Sequence, residues 1–178
     1  VMEAPPADNE QICEWKLHHF EEYSHGAAGW SNNECSECDC RKLLGGHCKF
    51  AGGEVHKEFE GFPTHNLLRI KANYWFLDNW AKETAFAKIE DKLVWTHGSV
   101  DATWRGINVC GDSKFPHYLN FPVDFVIKHT ESCAKLAFGS NLSGDACLKS
   151  WGLSNVALYT CSHCQDANYC PWEDQIIH

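Results

Sequence analysis

The sequence predicts an all-β protein, an antiparallel jelly-roll β-sandwich stapled by disulfide bonds. Three observations support this prediction. Short runs of residues alternate between apolar and polar side chains, which is the period of a strand with one buried face. Seven or eight such runs occur, and none of the chain shows a convincing amphipathic helix. Eleven cysteines in 178 residues are typical of an oxidising compartment, where cysteine pairs close loops.

The clearest strand signal lies in residues 68–76, where every even-numbered position is apolar and the odd-numbered positions include Arg, Lys and Asn. Residues 84–89 and 93–95 follow as two shorter strands, joined by the polar turn 90–92. A polar loop, residues 78–83, connects the first two strands and contains one tryptophan. The spacing predicts a meander of three neighbouring strands.

The other strands are less regular. Residues 54–59 alternate and are predicted to form an edge strand, and a proline-containing turn separates them from the central strand. Residues 118–127, 134–138 and 156–159 repeat the period of two and complete the sandwich. Residues 15–30 mix aromatic side chains with His, Glu and Gly, so they are predicted to be irregular with one strand.

The composition divides the chain into one domain with two short ends. Residues 1–11 are rich in proline and acidic side chains, which predicts a flexible N-terminal arm. Residues 12–160 are predicted to form the sandwich, because 44 % hydrophobic content is ample for one core. Residues 161–178 depart from the β pattern and are predicted to be a cysteine-rich tail.

The charge balance limits the partners. With 15 basic and 24 acidic residues the net charge is -9, which argues against nucleic acid or an anionic membrane surface as the main partner. No segment approaches the roughly 20 apolar residues that a membrane span needs, so no membrane insertion is expected. The first ten residues carry no secretory signal, and the chain is expected to be soluble as given and a processed form.

The cysteines leave two interpretations open. Cys35, Cys38, Cys40 and Cys48 have spacings that suit either a zinc knuckle or disulfides, and the same holds for the cysteines of the tail. Because zinc needs reduced thiolates, the high cysteine count favours disulfides. The odd total leaves at least one thiol free or bonded outside the chain. The cysteines expected in bridges are Cys13, Cys35, Cys38, Cys40, Cys48, Cys110, Cys147, Cys161, Cys164 and Cys170, with one tail cysteine reaching Cys13.

Catalytic signatures are missing from the sequence. It has no nucleophile elbow, no zinc-protease helix motif, no phosphate-binding glycine loop and no dinucleotide fingerprint. The eleven histidines are dispersed, which is typical of surface or core positions. We therefore expect neither an enzyme nor a cofactor. Asn141 begins an Asn-Leu-Ser sequon in a predicted loop and is the expected glycosylation site.

Two segments carry a resemblance to a known family. They are WFLDNWAKETAFAKIEDKLVW and HTESCAKLAFGSNLSGDACLKSWGLSNVALY, and the match covers roughly residues 15–160. Their pattern resembles galactose-binding-like β-sandwich modules of secreted and surface proteins of ciliates, algae and apicomplexan parasites. The matching residues are Asp78, Trp80, Glu83, Phe138, Gly139, Ser140, Leu142, Ser150, Trp151, Gly152, Asn155 and Val156. The resemblance also implies a bridge from Cys110 to Cys147.

Such modules bind glycans or a structural calcium at the loops of one end. The resemblance therefore places the candidate ligand site in the loop with Asp78, Asn79, Trp80 and Glu83. The oxygens of Asp78, Asn79, Glu83 and Asp145 suit calcium. However, Lys149 stands where the family has an acidic residue, so we expect an ion pair of Lys149 with Glu83 or Asp78 and no metal there, with a structural calcium as the alternative.

Trp104 and Arg105 are a further candidate pair for a sugar, because an indole stacks on the apolar face of a pyranose while a guanidinium donates to its hydroxyls. The alternative is that Trp104 only fills the end of the core, which is the commoner role of tryptophan in a small domain.

The resemblance and the composition together predict a secreted, non-catalytic adhesion or assembly module of an extracellular surface, coat or filament. The alternative is a monomeric carbohydrate-binding lectin. The expected partners are other extracellular proteins, copies of the same chain, or glycans.

Overall fold

The computed structural model describes residues 14–98, Cys110 and residues 118–162. This part of the chain contains ten strands and no helix. The strands are β1 (Lys16–Glu21), β2 (Cys35–Cys38), β3 (Arg41–Phe50), β4 (Gly53–Phe59), β5 (Leu67–Asp78), β6 (Thr84–Ile89), β7 (Lys92–Gly98), β8 (Tyr118–Lys128), β9 (Ala134–Ser140) and β10 (Lys149–Cys161). Accordingly, no described helix is long and apolar enough to cross a membrane.

The strands form two antiparallel sheets that pack face to face. The larger sheet has the order β2-β3-β10-β5-β8, and β1 pairs with the far half of β10. The smaller sheet has the order β4-β9-β6-β7. The predicted all-β, antiparallel, disulfide-stapled sandwich is therefore confirmed.

The core lies between the sheets and is rich in aromatic rings. The even-numbered side chains of β5 point into it, as their alternation predicted, and Leu68, Ile70 and Tyr74 are completely buried. The ring of Tyr74 stacks on Trp151 from β10, and the two ring centroids are 5.1 Å apart, which is typical of offset stacking. Its hydroxyl donates to the Gly139 carbonyl on the opposite sheet at 2.9 Å. Both sheets are thus joined through one side chain.

The outer face of the larger sheet is covered at its two ends. At one end Trp15 packs on a small apolar cluster of Leu67, Val126 and Cys161. At the other end a second apolar cluster contains Cys38, Leu43, Trp75, Leu77 and Cys110. The β2–β3 hairpin contributes Cys38 and Leu43 to this second cluster and covers that end of the sheet. A polar strip of the sheet remains between the two clusters.

The predicted meander is wrong at its first connection. β5 belongs to the larger sheet, whereas β6 and β7 belong to the smaller one. Asp78 adopts a left-handed backbone conformation with φ 67°, and the chain crosses from one sheet to the other in residues 79–83. The β6–β7 hairpin itself is confirmed, and Glu90 and Asp91 at its turn both have positive φ values, as a tight hairpin turn requires.

The sequence patterns missed β2 and β3 and most of the length of β10. In β3, Gly45 and Gly46 have φ values of 74° and 103°, and this kink interrupts the alternation. β10 is buried on both faces over most of its length, so its inner and outer positions are both apolar or small. A period of two does not appear in such strands.

The disulfides differ from those expected. Cys38 bonds to Cys110 and Cys48 bonds to Cys147, so the implied Cys110–Cys147 bridge is wrong. Cys38 and Cys110 share the apolar cluster under the β2–β3 hairpin. The backbone N–H of Cys48 donates to the Ala146 carbonyl at 3.2 Å, and this hydrogen bond brings β3 beside Cys147.

Two other cysteine expectations also need correction. Cys35 and Cys40 were expected in bridges, but each carries a thiol that no described residue bridges. Because Cys38 and Cys48 are in disulfides, this segment does not form a four-cysteine zinc knuckle. Cys161 is buried at the end of β10. Cys13, Cys164, Cys170, the arm 1–11 and nearly all of the tail 161–178 lie outside the described residues.

Candidate functional site

The loop of residues 78–83 is the site that the resemblance implied, and its carboxylates are already engaged. The Asp78 side chain is buried, and its Oδ2 atom lies 3.0 Å from Nδ1 of His47 on β3. Asp145 accepts the backbone N–H of Cys147 on its Oδ1 atom at 2.9 Å. Each carboxylate therefore has one partner within the protein, although Asp145 is exposed.

Glu83 forms the ion pair that was expected for Lys149. The Nζ atom of Lys149 donates to Oε1 at 2.7 Å, and the backbone N–H of Ala81 donates to Oε2 at 2.6 Å. Burial opposes ionisation of Glu83, but these hydrogen bonds outweigh it and hold the pKa of Glu83 below its ordinary value. The described residues contain no group of three or more His, Cys, Asp or Glu side chains arranged to hold a metal.

Trp80 serves the core rather than a ligand. Its ring is only 8 % exposed and packs edge-on against Phe76 with centroids 4.8 Å apart. Its Nε1 atom donates to the Ser150 carbonyl at 2.8 Å. Asn79 is exposed beside it. The candidate pair Trp104 and Arg105 lies outside the described residues.

A groove lies on the outer face of the larger sheet. It has a volume of about 330 Å³ and occupies the polar strip between the two apolar clusters. Its lining comes from four strands, β1, β10, β5 and β8. The lining residues are Phe20, Lys71, Ala72, Asn73, Pro122, Val123, Asp124, Asn155, Ala157 and Tyr159.

Strand register explains why these side chains meet. Lys71 is opposite Asp124, and Asn73 is opposite Pro122, in the β5–β8 pairing. On the other side, the β10 ladder shifts its register between Ser154 and Ala157. Asn155 lies at this bulge with φ 50°, and its Nδ2 atom donates to Oδ1 of Asn73 at 3.3 Å. The bulge therefore adds a second amide to the floor of the groove.

Charged groups form the second part of the floor. Arg69 holds Asp124 with two hydrogen bonds, Nε to Oδ1 at 2.8 Å and Nη2 to Oδ2 at 2.7 Å. This hydrogen bonding raises the pKa of Arg69 above its ordinary value, so the guanidinium stays charged. The Nζ atom of Lys71 is 4.0 Å from Oδ2 of Asp124, beyond hydrogen-bond distance. Arg69 also lies over the ring of Trp15, at 5.7 Å.

Aromatic side chains form the wall nearest β1. Phe20 is 53 % exposed and pairs in register with Ala157, and Leu17, which is 51 % exposed, pairs with Tyr159. Tyr159 is half-buried between these positions. The groove thus combines exposed rings on one wall with amides and charges on the floor.

Sequence reasoning did not identify this groove. The polar side of β5 was visible in the sequence, but its partners come from strands far away in the chain; Asn73 and Asn155 are separated by 82 positions. The available signal was the polar parity of β5, where Lys71 and Asn73 interrupt an apolar strand.

Comparison with known proteins shows the fold. No family model matches the chain, and no curated protein matches it. Among solved structures, the chain is similar to TmCBM27, a carbohydrate-binding module described by its specific mannan recognition. The TM-score is 0.51 at 15 % identity, and the match covers 83 % of this chain and 98 % of that one. The neighbours include carbohydrate-binding modules with the galactose-binding-like β-sandwich, as the resemblance implied.

Two similar structures come from Porphyromonas gingivalis. One is the K3 cleaved adhesin domain of Lys-gingipain, with a TM-score of 0.50 at 10 % identity over 80 % of this chain and 98 % of that one. The other is dimeric latent PorU, with a TM-score of 0.54 at 9 % identity over 88 % of this chain. This chain spans only 14 % of the PorU chain. At these identities the likeness concerns the fold alone, and the protist origin stays a prediction.

Proposed function

We propose that this chain is a non-catalytic module that binds a saccharide in the groove on the outer face of its larger sheet. The observation that carries the proposal is the meeting of two amides, Asn73 and Asn155, with the exposed ring of Phe20 on one concave surface. Amides both donate to and accept from sugar hydroxyls, and an aromatic ring covers the apolar face of a pyranose. A volume of about 330 Å³ is within the ordinary range of small-ligand sites.

The fold supports the same function. A carbohydrate-binding module named for mannan recognition shares the β-sandwich over nearly its whole length. The two disulfides, Cys38–Cys110 and Cys48–Cys147, fit an extracellular location, where such bonds persist. Asn141, the proposed glycosylation site, is exposed in the loop after β9, away from the groove's lining residues. Glycans are therefore the proposed partner class.

The experiment compares an asparagine of the groove with an asparagine of the exposed loop 78–83. Wild-type protein is screened on a glycan array, and binding to each positive glycan is measured by titration calorimetry with Asn73→Ala in the groove and Asn79→Ala in the exposed loop. We expect Asn73→Ala to weaken binding about tenfold, since one lost hydrogen-bonding group costs roughly 1.4 kcal/mol. We expect Asn79→Ala to leave binding unchanged. Loss with Asn79→Ala alone would move the site back to the loop.

An assembly function is the second candidate, and the Cys40 thiol favours it. Cys40 is exposed at the β2–β3 turn and is not bridged by any described residue. An exposed thiol of this kind can join two chains through a disulfide. If the chain assembles in this way, non-reducing electrophoresis shows a covalent dimer that Cys40→Ser abolishes; a monomer under both conditions would leave only the saccharide-binding function.

A further inference from the structure

We infer that the saccharide bound in the groove is acidic, and that its carboxylate or sulfate pairs with the ammonium of Lys71. This inference rests on the proposed function and adds the chemical class of the ligand.

The carboxylate of Asp124 is already neutralised. Both of its oxygen atoms accept a hydrogen bond from Arg69, at 2.8 Å and 2.7 Å, in the paired geometry that suits a guanidinium best. The Arg69 side chain is only 12 % exposed, so it serves as an internal partner of the carboxylate rather than as a ligand contact. Asp124 therefore has two cations beside it, Arg69 beneath the groove and Lys71 in its lining.

Lys71 carries the remaining positive charge. Its Nζ atom is 4.0 Å from Asp124 Oδ2, too far for a hydrogen bond, and its side chain is 45 % exposed. An ammonium has three donors. Lys71 and Asn73 are two residues apart on one face of β5, which separates their Cα atoms by about 7 Å. A sugar unit that places hydroxyls on the Asn73 and Asn155 amides can therefore place an acidic substituent on Lys71.

The net negative charge of the chain means that an acidic saccharide depends on the local cation Lys71 for its attraction. The chain has a net charge of -9, so general electrostatic attraction disfavours polyanions. An acidic saccharide that binds must gain its attraction from a local contact. Neutral saccharides would leave Lys71 with only its long, 4.0 Å ion pair to Asp124, and cationic ones would meet repulsion from it.

The test uses saccharides that differ only in their charge. Polygalacturonate, alginate and chondroitin sulfate are compared with their carboxyl-reduced or desulfated forms by affinity electrophoresis and calorimetry. The protein variants are Lys71→Met, Lys71→Arg and the control Lys88→Met, which removes the same charge from β6 in the smaller sheet, where Lys88 pairs with Glu54. Thermal unfolding of each variant checks that it is folded. The carboxyl-reduced and desulfated arms distinguish a carboxylate from a sulfate.

We expect at least one acidic polysaccharide to bind, its neutralised form to bind at least tenfold more weakly, and Lys71→Met to cause a loss of similar size. Lys71→Arg should restore much of the affinity, and Lys88→Met should change little. Raising the salt concentration should weaken binding of the acidic form only.

Two results would overturn the inference in distinguishable ways. If the neutralised forms bind as well as the acidic ones, and Asn73→Ala weakens binding while Lys71→Met does not, the groove binds neutral saccharides and only the ligand class is wrong. If acidic saccharides bind but neither Lys71→Met nor Asn73→Ala changes the affinity, binding occurs elsewhere and the proposed site fails together with this inference.

Discussion

The Nδ1 atom of His129 lies 2.7 Å from the Nε2 atom of His65, and the two buried imidazole rings stack with centroids 5.0 Å apart. His65 is within 2.6 Å of the Pro63 carbonyl through its Nδ1 atom, which must therefore carry the proton and donate it. When the proton of His65 is on Nδ1 alone, its Nε2 atom accepts the hydrogen bond and Nδ1 of His129 donates it.

Several titratable groups face this pair. They are His18 and His19 from β1, across the ring of Phe62, and Glu90, Glu131 and Cys133 beside His129. Burial, followed by the proximity of His65, lowers the pKa of His129, and the two glutamates oppose this effect. The pKa of His18 is also lowered, first by burial and then by His19 and His65.

The histidine pair predicts that the protein is less stable at mildly acidic pH. Because the pKa of His129 is lower in the folded chain, the unfolded chain binds the proton more readily. The stability is fully present above about pH 6.5, the ordinary value for histidine, and decreases as the pH falls below it. We expect urea unfolding midpoints to drop between pH 7 and pH 5. His129→Gln, which does not titrate, should show a smaller drop.

The control for this prediction is His56→Gln, because His56 is exposed on β4. It should retain the pH dependence of the wild type. Equal drops for the wild type and His129→Gln would show that other groups cause the acid sensitivity.

The Lys149–Glu83 ion pair predicts a measurable coupling energy. The side chains are 24 % and 16 % exposed, so the pair is less screened than a surface pair, and we expect about 1 kcal/mol in a double-mutant cycle of Lys149→Met and Glu83→Gln. Because the pKa of Glu83 is lowered, its contribution is present above about pH 4.5 and is lost as the pH falls below that value. A coupling energy of zero at pH 7 would contradict the hydrogen-bonded geometry.

The Cys48–Cys147 bridge predicts a large contribution to stability. The two cysteines are 99 positions apart, so the bridge restricts the unfolded chain strongly, by about 4 to 5 kcal/mol in the loop-entropy description. The double variant Cys48→Ala/Cys147→Ala should lower the free energy of unfolding by that order. Cys40→Ser, at an exposed thiol, should change it by less than about 0.5 kcal/mol. Similar effects of both variants would argue against this pairing.

Strand prediction succeeded where one face of a strand meets polar surroundings. The odd-numbered residues of β5 include Arg69, Lys71 and Asn73 on the outer face, and this contrast made the strand visible in the sequence. β10 lies between β5 on one side and both β3 and β1 on the other, with both faces covered over most of its length. Outside residues 156–159, its pattern therefore contains no alternation that predicts a strand.

The groove depends on strand order, which alternation does not encode. Asn73 and Asn155 meet only because β10 pairs with β5 and carries a bulge at Asn155. The meander prediction had placed β6 beside β5, at an edge that β10 or β8 occupies in the structure. The resemblance pointed instead to the loop of Asp78 and Trp80, whose side chains contact His47 and the Ser150 carbonyl.

Gly152, one of the residues that carry the resemblance, has a structural role in the fold. A Cβ atom on Gly152 would lie 2.9 Å from both the Leu44 carbonyl oxygen and the Gly46 nitrogen, so the backbones of β10 and β3 approach too closely for a side chain. We expect Gly152→Ala to cost about 2 kcal/mol or more, because backbone atoms cannot move aside cheaply. The matched control is Gly98→Ala at the end of β7, where a Cβ would meet nothing within 4 Å. Urea unfolding should separate the two variants clearly; equal stability would mean that β3 and β10 can separate without cost.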